Sequence, residues 1–269
     1  MSMVQLLSHL VALLALQSTP VRVVQLPTVP VHVSVWYRGL PEGVPRLVDL
    51  EAIRAQGFTA VTWPLQQVEG ALELRRMAAT AGLAVVIKSE PELATFDALT
   101  PVDGRVDISV TTTTPEQWTA LVWRAVAVGA RVVSFDPVGT DGVWGAPGLP
   151  SWVAIAGGVA RQVGQHGTLL GTLSRGPDVT IEPAVASLEV RLLQNTRSWV
   201  IVATNRDTTL GAIADTYATF PQGVPAAEWL NLFDGSIIAM LYRPTGPRWH
   251  VRLGPGEARV FVIDKNRSR

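Results

Sequence analysis

Three short segments of the chain share one order of residues, and this order constrains the fold more than any other feature. Each segment begins with a glycine, continues through an apolar run and ends at a proline; they are residues 57–64, 82–91 and 129–137. A glycine just past a helix adopts the left-handed conformation at little cost. A short apolar run is typical of a strand buried on both faces, and proline cannot extend the ladder of a strand. The pattern therefore predicts three helix–strand units.

The residues before two of these glycines have the periodicity of amphipathic helices, one ending at Gly82 and the other at Gly129. The second of these helices has a clear start. Thr114 can cap it, Pro115 fits its first turn, and Gln117 can return a hydrogen bond to the cap. Helices that alternate with strands along a chain favour parallel βα units.

Two further apolar stretches, residues 31–36 and 106–110, bring the predicted parallel strands to about five. A closed eight-stranded (β/α) barrel usually needs about 250 residues. The stretch from 26 to 176 is much shorter, so it can form only a shortened barrel or an open sheet. A further apolar helical pattern over 152–163 closes this α/β part.

The pattern of the chain changes after residue 176. Short alternating or apolar stretches follow one another, separated by turns rich in Gly, Pro and Asn; they are 188–192, 199–203, 237–241, 249–253 and 258–263. Such spacing is typical of an antiparallel sandwich. We therefore predict an α/β fold, with a partial or shortened (β/α) barrel at 26–176 followed by an all-β antiparallel sandwich at 177–269.

The first residues, 1–25, begin with an apolar stretch that is too short to cross a bilayer as a helix. It is either the apolar part of a secretion signal or an N-terminal apolar helix packed on the domain. The first alternative predicts a secreted or periplasmic protein, and the second predicts a cytoplasmic one. Neither alternative predicts a stable membrane span.

The composition excludes several classes of function. The chain has 22 basic and 22 acidic residues, so its charge gives no reason to expect nucleic acid as a partner. It has no cysteine, which excludes disulfides, thiolate catalysis and cysteine-ligated metal. Its four histidines are far apart and do not have the spacing of a metal-binding motif. We therefore predict no metal and no cofactor.

Residues 123–136 resemble a stretch of the β-galactosidase-like glycoside hydrolases of family 42 and related clan A barrels, in which a helix ending in Ala-x-Gly-Ala leads into the last barrel strand. Residues 61–64 are similar to an early barrel strand of that group. Residues 229–235 and 253–260 are similar to the C-terminal β domain that many such enzymes carry. The resemblance implies a glycoside-hydrolase-like protein that acts on or binds a glycan.

The catalytic residues of that group have no counterpart at the matching positions. Clan A enzymes carry an Asn-Glu pair as acid/base, and no Asn-Glu dipeptide occurs in this sequence. At the place of the nucleophilic glutamate, Val110 is followed by four threonines. The alternative is therefore a catalytically inactive remnant, a pseudoenzyme that binds carbohydrate or a protein. A barrel that lacks its middle would also expose sheet edges and form homo-oligomers.

Two carboxylates end predicted parallel strands, where α/β folds place their sites: Glu90 and Asp136. Because glycosidases use two carboxyl groups, we predict this pair as the acid/base and the second carboxylate, in unresolved order. Trp36, Trp63 and Lys88 also end strands and are predicted to bind substrate, since a sugar face stacks on an aromatic ring. The structural alternatives are turn positions for the carboxylates, core positions for the tryptophans and a strand-end ion pair for the lysine.

Overall fold

A computed structural model of the chain describes residues 29–39, 43–65, 67–88, 99, 101–136, 151–209 and 216–266. The apolar segment 1–25 lies outside the described residues. The two alternatives for it, a secretion signal and a packed helix, therefore both stay predictions. Glu90 and the glycine-rich stretch that follows Asp136 also lie outside them.

Five short strands form one parallel sheet, as the sequence predicts. They are β1 (His32–Trp36), β2 (Ala60–Pro64), β3 (Ala84–Lys88), β4 (Arg105–Ser109) and β5 (Val132–Asp136). Their order across the sheet is β3-β2-β1-β5-β4, and every neighbouring pair is parallel. In a (β/α) barrel each strand lies beside its sequence neighbours and the last lies beside the first. The sheet therefore has the strand order of a barrel opened between β3 and β4.

Helices cover the outer face of this sheet; they are α1 (Leu47–Gln56), α2 (Val68–Ala81), α3 (Pro115–Ala127) and α4 (Ser151–Gly171). Gly57 and Gly82 end α1 and α2 in the left-handed conformation, which confirms that prediction. At the start of α3 the backbone N–H of Thr114 donates to the side-chain oxygen of Gln117 over 2.9 Å. The capping signal in the sequence is therefore confirmed as well.

The two faces of the parallel sheet differ in polarity. Val35 and Phe135 face the helices and belong to the main hydrophobic core. On the opposite, inner face, the hydroxyls of Ser34, Thr62 and Ser134 form a closed triangle of hydrogen bonds with sides of 2.7–2.9 Å. These three residues are nonetheless buried, so the expectation of strands buried on both faces holds here, and the hydroxyls need no water because they satisfy one another.

The sheet curls so far that its two edge strands come together. Neighbouring strands lie about 4.8 Å apart, so a flat sheet would hold β3 and β4 about 19 Å apart. Yet Nζ of Lys88 on β3 lies 2.6 Å from Oδ2 of Asp107 on β4. The guanidinium of Arg105 also donates to the carbonyl oxygen of Ile87 across the same gap, over 3.2 Å. These side-chain contacts make the sheet a partial barrel rather than an open, flat one.

The rest of the chain is antiparallel and forms two sheets. Its strands are β6 (Ser174–Arg175), β7 (Thr180–Glu182), β8 (Leu188–Gln194), β9 (Ser198–Asn205), β10 (Thr216–Thr219), β11 (Glu228–Asn231), β12 (Ile237–Ala239), β13 (Arg248–Val251) and β14 (Ala258–Asp264). The sheet orders are β12-β11-β14-β9-β8-β6 and β13-β10-β7. Trp229 and Trp249 are buried in the core between them. This arrangement is the predicted sandwich.

Helix α3 joins the two parts of the chain. The six-stranded sheet has one face on the sandwich core, and its other face packs against α3. Val200 and Val260 of that sheet belong to the same core as the helix. The ring of Trp123 on α3 lies 5.2 Å from the ring of Phe233, and Nε of Arg124 donates to Glu189 on β8 over 2.6 Å. One hydrophobic core therefore contains residues from both sides of residue 176. The domain boundary at this residue stays a prediction.

Candidate functional site

Asp107 on β4 is the centre of a buried polar cluster inside the partial barrel. Its side chain is fully buried. Its Oδ2 atom accepts from Nζ of Lys88 over 2.6 Å, and its Oδ1 atom accepts from the indole N–H of Trp36 over 3.2 Å. The cluster thus joins strands β4, β3 and β1 through one carboxylate, in charge-assisted contacts of the stronger kind.

Alternation along β4 explains why a carboxylate stands here. Val106 and Ile108 belong to the core beneath the helices, so Asp107 and Ser109 point to the inner face. Lys88 is likewise the residue after the outward Ile87 and ends its strand. Trp36 and Lys88 end their strands, whereas Asp107 is the third of the five residues of β4, so the cluster lies inside the barrel just below the carboxyl edge that carries active sites in (β/α) barrels.

Asp136 ends β5 and is 1% exposed. It stands beside Ser109 in the register of the sheet, and Asp107 stands beside Ser134. Asp107 and Asp136 are therefore diagonal neighbours on adjoining strands and share the inner face. This places two carboxylates on the same face of the sheet, with Asp136 at the carboxyl edge and Asp107 one step below it.

Trp63 lies on the opposite face of the sheet from this cluster. It is fully buried, its indole N–H donates to the carbonyl oxygen of Gln67 over 2.9 Å, and its ring lies 5.7 Å from that of Tyr37. Trp36 is also buried, at 3% exposure. A sugar could stack on either tryptophan only after it had been uncovered, so the substrate-stacking role of both stays a prediction.

The structure brings together three of the five residues that the sequence singles out, namely Trp36, Lys88 and Asp136, on one face of the sheet. Glu90 lies outside the described residues, so its pairing with Asp136 stays a prediction. Asp107 was not predicted from the sequence. The sequence does contain a signal for this residue. In a strand, a polar residue between Val106 and Ile108 must point to the face opposite to the one that those two share.

A second network fixes the chain directly after Trp36. The hydroxyl of Tyr37 donates to Asp49 over 2.8 Å and accepts from the backbone N–H of Arg46 over 2.9 Å. Burial raises the pKa of Tyr37, and the hydrogen bond and charge of Asp49 raise it further. The phenol therefore stays a neutral donor, and this network anchors the start of α1 to the end of β1.

The described residues contain no group of three or more His, Asp or Glu side chains placed to hold a metal ion. Within the same residues, no helix combines the length and apolarity that crossing a membrane requires.

No family model matches the chain, and no curated protein matches it. Among solved structures, it is similar to a GH30 endoxylanase from Clostridium papyrosolvens, with a TM-score of 0.43 and 8% identity over 87% of this chain and 97% of that one. It is also similar to an α-amylase from Geobacillus thermoleovorans, with a TM-score of 0.40 and 9% identity over 79% of this chain and 46% of that one. A third structure, AmyP in complex with maltose, has a TM-score of 0.42 and 12% identity over 73% and 44%.

These structural neighbours are glycoside hydrolases, and none of the three is described as a family 42 enzyme. The chain spans nearly all of the xylanase but less than half of the α-amylase and AmyP chains. At TM-scores below 0.5 the likeness does not establish a shared fold or a shared activity. The function of this chain therefore has to be argued from its own residues.

Proposed function

We propose that this protein is glycoside-hydrolase-like and acts on or binds a glycan at the carboxyl end of its parallel sheet. The observation that carries the proposal is the pair of buried aspartates, Asp107 and Asp136, on the inner face of adjoining strands, with Asp136 at this edge. Parallel α/β folds bind their ligands at the carboxyl ends of the strands. Carboxylates are also the groups that glycoside hydrolysis requires.

The spacing of the carboxylates favours one stereochemical course if turnover occurs. Retaining enzymes hold their carboxyl groups about 5–5.5 Å apart, whereas inverting enzymes hold them about 6.5–9.5 Å apart. Because Asp107 and Asp136 are diagonal rather than direct neighbours on adjoining strands, we propose the wider, inverting arrangement. One carboxylic acid would then protonate the glycosidic oxygen while the other carboxylate takes a proton from the attacking water. Glu90 keeps its predicted place as an alternative partner for Asp136.

One observation favours a second candidate, a carbohydrate-binding protein without turnover. Both oxygens of Asp107 are engaged by donors, from Lys88 and from Trp36. A carboxylate held in this way is well placed to fix the geometry of the site and poorly placed to exchange protons with a substrate. The missing Asn-Glu dipeptide points in the same direction.

The test is a screen of hydrolysis and binding with matched variants. Aryl glycosides, including β-galactosides because of the family 42 resemblance, report turnover, and calorimetry with soluble oligosaccharides reports binding. We expect Asp136→Asn to lower turnover by at least about 100-fold, the scale of a general acid or base. Glu73→Gln, on the exposed Glu73–Arg76 pair of α2, is the control and should change nothing.

The outcomes separate the two candidates. Turnover that depends on Asp136 supports the hydrolase, and binding without turnover that is weakened by Asp136→Ala supports the binding protein. Wild-type protein that neither cleaves nor binds any glycan of the panel would refute both.

A further inference from the structure

A small pocket at one end of the sandwich takes no part in the site proposed above. Two loops form it, residues 220–227 between β10 and β11 and residues 240–247 between β12 and β13. The cavity is about 300 Å³, and its lining includes the side chains of Gln222, Tyr242 and Arg243. This volume is at the lower end of the range for ligand pockets, which suits a ligand of one or two rings.

The backbone on both sides of the pocket is held in place. Leu241 and Arg248 exchange two backbone hydrogen bonds of 2.8 Å, and the N–H of Phe220 donates to Pro247 over 2.8 Å. The amide of Gln222 crosses from one loop to the other and donates to the carbonyl oxygen of Pro244 over 3.1 Å. A pocket held in this way loses little freedom when a ligand enters, which favours binding.

Gly246 sets how closely the two loops approach each other. Its φ is +129°, and a Cβ atom at this position would lie 2.0 Å from the carbonyl oxygen of Phe220. Only glycine therefore permits the observed contact between the loops.

Tyr242 supplies the recognition chemistry on the rim. It is 78% exposed, so most of its ring is open to solvent. Large aromatic side chains usually bury their rings, and an exposed one beside a pocket is suited to stack on a flat ligand with an apolar face. Arg243, next to it, offers a planar set of N–H donors that match paired oxygens. A saccharide ring has both features, an apolar face of C–H groups and a rim of paired hydroxyls.

We infer that this pocket binds a saccharide, with Tyr242 as the stacking platform and Arg243 as the hydrogen-bond donor. The choice of a saccharide as the ligand rests on the proposed function. The pocket itself shares no residue with the site at the carboxyl end of the parallel sheet. The chain would then hold a glycan at two places, at the carboxyl end of the parallel sheet and at the loops of the sandwich. A binding site on the sandwich would keep a polymeric glycan near the first site.

Calorimetric titration with xylan, starch, galactan and glucomannan oligosaccharides tests the inference. Tyr242→Ala should weaken binding by about tenfold, and Tyr242→Phe, which keeps the ring, should bind like wild type. Because Tyr242 is exposed, neither change threatens the fold. Asp136→Asn should leave this binding intact, and Tyr242→Ala should leave the cleavage of short aryl glycosides intact.

Each result decides one of the two claims. Equal binding by Tyr242→Ala and wild type would overturn the second site, even if Asp136 proves essential for turnover. Binding that is lost in Tyr242→Ala, with no effect of Asp136 on any readout, would keep the second site and remove the first. Absence of binding to every oligosaccharide by the wild type would overturn the second site as well.

Discussion

Lys88 and Asp107 belong to the two strands that the sheet order places at opposite edges, and their charged groups form an ion pair of 2.6 Å. The pair is buried, with 12% of the Lys88 side chain and none of the Asp107 side chain exposed. An ammonium and a carboxylate can meet over this distance only if the five strands curl around a common interior. The same pair also forms the candidate site, so closure of the barrel and formation of the site are one event.

Loss of the lysine should therefore destabilise the fold. Lys88→Met leaves a buried carboxylate without its cationic partner, and breaking a buried pair costs about 3–5 kcal/mol. We expect a loss of about 3 kcal/mol in the free energy of unfolding, measured by urea denaturation. Arg175→Ala is the control, because the Arg175–Asp178 pair is 68% and 85% exposed and should contribute nothing measurable. Equal effects of the two substitutions would show that Lys88 does not hold the edges together.

Two adjacent glycines of α4 should respond in opposite ways to alanine. A Cβ atom at Gly157 would lie 2.3 Å from the carbonyl oxygen of Gln56 at the end of α1, whereas a Cβ atom at Gly158 would meet nothing within 4 Å. Alanine favours a helix over glycine by about 1 kcal/mol. Gly158→Ala should therefore raise the free energy of unfolding by up to about 1 kcal/mol. Gly157→Ala should lower it by about 1–3 kcal/mol, because α4 must move away from α1.

Thermal or urea unfolding of both variants measures this difference. Two stabilising substitutions would contradict the close packing of α4 on α1.

His32 should make the fold sensitive to mild acid. Burial lowers the pKa of His32 from its ordinary value of 6.5. Because the unfolded chain then binds the proton more readily, this contribution to stability is complete above about pH 6.5 and is lost as the pH falls through the folded pKa. His32→Gln removes the titration and can keep a hydrogen bond to Thr59. The free energy of unfolding of the variant should therefore fall less steeply than that of wild type below about pH 6.5, and parallel curves would count against a buried neutral imidazole.

Glu189 should couple α3 to the sandwich in a pH-dependent way. Burial acts to raise its pKa, but the hydrogen bonds and charges of Arg191 and Arg124 outweigh burial and hold the pKa below its usual value. The stabilisation is therefore present above about pH 4.5 and is lost as the pH falls through the lowered pKa. Glu189→Gln should be less stable than wild type at neutral pH, and the difference should shrink in acid. Denaturation curves at several pH values measure it, and a difference that stays constant with pH would contradict an ionised Glu189.

The strands of the parallel sheet could be predicted because their signals are local. Each of the observed strands β1 to β5 overlaps a predicted segment, and Gly57 and Gly82 mark helix ends by their own conformational freedom. The polar triangle on the inner face was not predicted, since it depends on hydroxyls that meet across strands far apart in the chain. Strands β7, β10 and β11 were not predicted, although the predicted strands β12 and β13 are no longer than they are, so length alone does not decide which strands a sequence reveals.

The candidate site could be predicted only in part, for the same reason. The rule that parallel strands present their carboxyl ends together selected Lys88 and Asp136, which the structure places on one face of the sheet; their roles in a site stay predictions. The meeting of Lys88 with Asp107 depends on the curl of the whole sheet, which no local pattern encodes. The indole N–H of Trp36 reaches that same aspartate, and this contact likewise joins strands that are distant in the chain.

The decisive measurement for the curled sheet is the distance between Nζ of Lys88 and the carboxylate of Asp107 in a crystal structure. Contact within hydrogen-bond range, with β3 and β4 facing each other across a common polar interior, is the expected result. Strands β3 and β4 held near the roughly 19 Å of a flat sheet would contradict it. In that case the barrel would not close, and Asp107, Lys88 and Trp36 would not form a site.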